Sequence, residues 1–121
     1  MDLKLTPQML AAAYEYLRTT PPFCGWKLPH ADEVEFSVTK HRDHEGGHTT
    51  YCNTNEHIIY VSNYHIKNTP DLMECIGHEM VHMRQDLTKT GAKRRNKHNA
   101  AFNKLNARFC KIHGLETEVF K

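Results

Sequence analysis

TPDLMECIGHEMVHMRQDLT, residues 69–88, decides how this chain is read. Thr69 can cap a helix and Pro70 can start one. Leu72, Ile76, Met80, Met83 and Leu87 then recur at helical spacing, which predicts an amphipathic helix ending near Thr88, before Gly91. Inside it stands HEMVH at 78–82, a match to the zinc-hydrolase pattern H-E-x-x-H. Residues four apart share one side of a helix, so His78 and His82 can reach a single ion. They fall on a different arc from the apolar stripe, which leaves that stripe to enter the core. Glu79 stands beside the first histidine, where a general base is needed.

A second match, HEGGH at 44–48, fails the same test. Each of Gly46 and Gly47 costs roughly 1 kcal/mol in a helix interior relative to alanine. Both lie between two strand candidates, where a Gly-Gly pair suits a hairpin turn. HEGGH is therefore expected to be a solvated turn, with His41, His44 and His48 as at most weak metal ligands.

Outward from the central helix, Thr6 caps and Pro7 opens a first helix expected over about Thr6–Thr19, with Met9, Leu10, Ala13 and Leu17 as its apolar stripe. The stretch TTPPFCGW breaks it. Val34, Phe36 and Val38 alternate with Glu35 and Ser37, as in a half-buried strand. TTYCN at 49–53 and HIIYVSN at 57–63 are two more strand candidates. Three strands so close in sequence suggest an antiparallel meander, with a mixed sheet as the alternative. A last helix is expected from about Lys97 to His113, with Phe102, Leu105, Phe109 and Ile112 on its apolar face and Gly114 at its stop. The expected class is α+β, one domain over residues 1–121.

Composition excludes several classes. A formal net charge of +2 does not by itself call for a nucleic-acid partner. No stretch is long and apolar enough to span a membrane. The four cysteines, Cys24, Cys52, Cys75 and Cys110, form no C-x-x-C pair, and each is expected to be a small buried hydrophobe. The first residues, MDLKLTPQMLAAAYEYL, lack the apolar core of a secretory signal, so a cytoplasmic protein with reduced thiols is expected.

A catalytic zinc takes three protein ligands and leaves one position for water. MRQDLTKTG, after the motif, holds no histidine, and no glutamate occurs between Glu79 and Glu116. His98 is the best third ligand. It stands at the start of the last helix in register with Phe102, Leu105, Phe109 and Ile112, so the stripe that docks the helix also turns His98 inward. A helix N-terminus disfavours a charged imidazole, as a ligand requires. His113 and Cys110, at the far end of that helix, are the alternatives.

HEMVH, a basic spacer and HNAAF opening an amphipathic helix together resemble the SprT-like (Spartan-type) zinc metalloproteases of the zincin fold. The resemblance covers about residues 57–113, with the first helix and the strands in a compatible order. It departs at Asn99, where the family usually has glycine after its third histidine, and in the missing zinc-ribbon cysteines. The resemblance implies a zincin-like fold and a zinc endopeptidase acting on proteins or peptides. The basic run Lys89, Lys93, Arg94, Arg95 and Lys97 is a solvated loop or, since the resembled family includes proteases that act on DNA-bound proteins, a DNA contact.

One zinc per chain on His78, His82 and His98 is the expectation, with Glu79 as the general base that deprotonates the attacking water. Tyr60, Tyr64, Arg84 and His113 are candidate second donors to the oxyanion. Glu74 and Asp86, one turn before His78 and one turn after His82, are either acceptors that orient the ligands or ordinary solvated charges. HIIYV is a candidate edge for pairing with an extended substrate. The competing readings are a non-catalytic, zinc-stabilised module that binds nucleic acid or protein, and a metal hydrolase acting on another bond.

Overall fold

Thr6 sits in extended backbone and its Oγ1 accepts from the Met9 amide at 3.2 Å, so the first helix, α1 (Pro7–Arg18), starts where the cap and proline place it. The structure, a computed structural model, describes residues 4–40, 46–50, 57–88 and 99–115. After α1, two 3-10 turns (Phe23–Gly25 and Ala31–Glu33) lead into strand β1 (Val34–Thr39). Strands β2 (Gly46–Thr50) and β3 (His57–Ser62) follow, then helices α2 (Thr69–Thr88) and α3 (Ala100–His113). The described residues thus form an α+β arrangement of three helices and a small mixed sheet.

The strand order is β1-β3-β2, which corrects the antiparallel meander. β3 lies between the other two, parallel to β1 with Val34 opposite His57, and antiparallel to β2 with Gly46 opposite Val61. Ile59 and Val61, both at 0% exposure, give β3 an apolar inner face that belongs at the sheet centre, where two partners satisfy its backbone.

Gly46 and Gly47 are strand residues of β2, not a turn. A Cβ on Gly46 would stand 2.7 Å from the Tyr60 carbonyl oxygen and 3.1 Å from Cys75 Sγ. One on Gly47 would overlap the Tyr60 ring. Close approach to β3 and α2, rather than turn geometry, requires these glycines. The remainder of the expected second strand, 51–53, lies outside the described residues.

The start of α2 is capped one residue earlier than expected. Asn68 Oδ1 accepts from the Asp71 amide at 2.8 Å, and Asp71 Oδ2 accepts from the Lys67 amide at 3.1 Å. Leu72, Ile76, Met80 and Met83 are buried, whereas Leu87 is 46% exposed. It lies in the last turn of α2, beyond the layers that α1 and the sheet cover. Ile112, also at 46%, is the matching departure at the end of α3, where Cys110 and Asn106 are buried instead. Of the cysteines, Cys75 and Cys110 are buried and Cys24 is exposed in its 3-10 turn; Cys52 lies outside the described residues.

The core joins α1, α2 and the sheet. Tyr14 of α1 is fully buried, donates to the Pro29 carbonyl at 2.6 Å and stands edge-on to Phe36 of β1. Burial raises its phenol above the ordinary tyrosine range. Glu15 ties α1 to the entry of β1: it pairs with Arg18 at 2.8 Å and accepts from the Ala31 amide at 2.8 Å. No helix among the described residues is long and apolar enough to cross a membrane.

Candidate metal centre

α2 is buried on almost every side. Glu74, Cys75, Ile76, Gly77, His78, Glu79, Met80, Val81, Met83 and Gln85 are all buried. That breadth explains why its apolar stripe understates how deeply it sits: polar residues are sealed along with the stripe.

α3 runs antiparallel along α2, and Gly77 makes the close approach. A Cβ there would overlap the Phe109 ring, so only glycine lets Phe109 seat directly against the helix backbone. One residue on, His78 is 8% exposed and His82 half-buried. Their rings lie 4.9 Å apart, on one face of α2. Phe102 of α3 backs both of them, edge-on to His78 at 4.9 Å and stacked on His82 at 4.4 Å. Glu79, the residue after His78, is buried at 5% exposure. Two imidazoles are therefore brought to one place, backed by an aromatic ring.

Asn99 caps α3: its Oδ1 accepts from the Phe102 amide at 2.9 Å and from Gln85 Nε2 at 3.3 Å. The helix accordingly begins at Ala100. His98, the expected third ligand, lies outside the described residues, as do Lys89, Lys93, Arg94, Arg95 and Lys97 of the expected DNA contact and His41 and His44 of HEGGH. Among the described residues no group of three or more His, Cys, Asp or Glu side chains is placed to hold a metal ion. His78 and His82 supply two imidazole donors at the spacing of adjacent helical turns, a pair that suits zinc but needs completion.

The other candidate residues are distributed over α2, α3 and the surroundings of β3. His113 Nε2 lies 2.7 Å from the Pro21 carbonyl oxygen and 3.2 Å from Thr20 Oγ1, against Phe109 and Tyr16 at the opposite end of α3. Cys110 is fully buried, and burial, with a smaller contribution from the Glu74 charge, pushes its thiol up to about 12. It is a poor ligand in that state, since the thiolate is what binds metal. Arg84 donates to the Trp26 carbonyl at 3.4 Å with its guanidinium 5.5 Å from the Trp26 ring centroid. Tyr64 is 52% exposed, and the Tyr60 ring covers Gly47 of β2.

The strand HIIYV is central, so it cannot be the open edge for an extended substrate. Among the described residues β2 pairs with β3 alone, and β2 is the strand beside α2. Of the two carboxylates one turn from the histidines, Asp86 is exposed, and its charge acts on His57 of β3. Glu74 is 3% exposed and is not a solvated charge. Sequence reasoning gave no weight to Gly77, Gln85 or Asn106. The glycine immediately before the motif was the one available signal, because a helix-interior glycine costs stability unless something packs on it.

No protein-family model matches this chain, and no curated protein matches it.

Proposed function

We propose that this protein is a small zinc-dependent endopeptidase of the SprT-like, zincin type. The observation that carries this reading is the pair His78 and His82, with rings 4.9 Å apart on one face of α2, and Glu79, the residue after His78, is buried. A purely structural metal site has no need of a carboxylate at that position. The element order is compatible with it: a helix, a mixed sheet with an antiparallel edge strand, the motif helix and a following helix.

His78, His82 and His98 would hold the ion. A bound zinc supplies Lewis-acid polarisation of the scissile carbonyl and lowers the pKa of water. Glu79 takes a proton from the attacking water and delivers it to the leaving amine, giving a carboxylic acid and a free amine. An extended peptide would lie antiparallel to β2, whose outer edge faces no other described strand.

Glu79→Gln tests this directly. Zinc content should stay near one per chain while hydrolysis of an unfolded protein substrate disappears. A wild type that holds zinc but cleaves nothing, with Glu79→Gln indistinguishable from it, would favour the non-catalytic module instead.

A further inference from the structure

We propose that Phe102 is a positioning residue for the metal centre: its buried ring, in contact with both His78 and His82, sets the two imidazoles in the orientation that binds the ion. The inference rests on the zinc reading above and adds a residue to it.

The contacts are ring on ring. Phe102 stacks on His82 with centroids 4.4 Å apart and planes 25° from parallel, and it meets His78 at 4.9 Å with planes at 68°. The two imidazoles stand at 73° to each other. The N–H and the lone pair of an imidazole lie in the plane of its ring. A ring stacked on the face of His82 therefore restrains that imidazole without occupying a nitrogen. The terminal torsion of a histidine is otherwise broad, so an unrestrained ring samples many orientations, few of which aim at a shared ion. His82 is only half-buried, and its open side supplies no restraint of its own.

Phe102 is itself anchored to the helix that carries the histidines. It is 2% exposed, and its amide donates to Asn99 Oδ1 at 2.9 Å. The same oxygen accepts from Gln85 Nε2 at 3.3 Å, and Gln85 stands on α2 three residues after His82. Gln85 is 2% exposed, and its Oε1 has no hydrogen-bond partner among the described residues. Burying a half-satisfied amide is unfavourable, and what the structure gains in return is this tie to the first turn of α3. α2 thus supplies both imidazoles and the amide that anchors the ring behind them. With the rings set before an ion arrives, binding has less side-chain freedom to remove.

Zinc affinity, measured on the full chain by competition with a chromophoric chelator, tests this for the wild type, Phe102→Leu and the control Phe109→Leu. Urea unfolding of the metal-free proteins identifies conditions in which each is folded. Phe102→Leu should bind zinc about tenfold more weakly, the effect of freeing one or two side chains. Phe109→Leu removes a ring that packs on Gly77 and Phe23. It should lose stability, yet its zinc affinity should match that of the wild type. Proton resonances of the histidine rings in the metal-free proteins give a second readout. Those of His82 should lie upfield in the wild type, under the Phe102 ring current, and move back in Phe102→Leu but not in Phe109→Leu. Unchanged zinc affinity in Phe102→Leu overturns the proposal and leaves the zinc reading standing. An equal loss in Phe109→Leu also overturns it, because Phe102 would then be ordinary core packing. Resonances of a free histidine for His82 in the metal-free wild type overturn it even where Phe102→Leu fails to fold. A wild type that takes up no zinc defeats the functional reading first, and the Phe102 role with it.

Discussion

Gln85 Nε2 donates to Asn99 Oδ1 at 3.3 Å, and the same oxygen accepts from the Phe102 amide at 2.9 Å. One side-chain oxygen thus ties the last buried polar residue of α2 to the first turn of α3. Gln85 is 2% exposed and stands three residues after His82; Asn99 directly follows His98. At this position the resembled family usually has glycine. Asn99→Ala should destabilise the protein by about 1 kcal/mol through loss of the cap, and Asn99→Asp much less. Urea unfolding of the metal-free protein measures both. In a double-mutant cycle with Gln85→Ala, the two losses should be less than additive, since either change removes the same bond.

Gly77 and Phe109 give a sharper packing test. Alanine would ordinarily gain roughly 1 kcal/mol over glycine in a helix interior. Here a Cβ overlaps a fully buried ring, and overpacking of that kind costs about 1–3 kcal/mol. Gly77→Ala should therefore lower the urea midpoint rather than raise it. In a Phe109→Ala background the same change should become neutral or stabilising. A stabilising Gly77→Ala in the otherwise wild-type protein would contradict the close approach of α3.

The Glu15 cluster sets an acid limit. Arg18 holds the Glu15 carboxyl below the usual glutamate range, helped by the Ala31 amide. Its folded pKa is depressed, so its contribution is present above the unfolded value of about 4.3 and is lost as pH falls through the folded value. Metal-free protein should lose stability progressively below about pH 4.3. Glu15→Gln should be less stable at neutral pH and should lose less over that acid interval. Chemical unfolding at a series of pH values distinguishes the two slopes.

Zinc should bind one per chain and raise the unfolding temperature with its free concentration, because ligand that binds only the folded state stabilises it by mass action. His78→Ala, His82→Ala and His98→Ala should each lose most of the metal. Zinc that survives in His98→Ala would place the third ligand elsewhere, and a folded wild type that takes up none would end the enzyme reading.

Local chemistry determined what the sequence could determine alone. Thr6 and Pro7 set the start of α1, Gly114 in left-handed backbone at φ 69° sets the end of α3, and the spacing of His78 and His82 puts their rings on one side of α2. Caps, stops and i,i+4 neighbours involve residues within one turn, so they are written in the chain. The tertiary structure alone decided the insertion of β3 between β1 and β2, the strand role of Gly46 and Gly47, and the burial of Glu74 and Gln85. It also decided the exposure of Leu87 and Ile112. These depend on which distant element covers a given face. Alternation and periodicity specify that a face is apolar, but not which partner meets it or how far along the element that partner extends. The same division runs through the candidate site: the two histidines and Glu79 follow from one short motif, whereas Phe102 behind the histidines and Phe109 on Gly77 come into place only when α3 packs along α2.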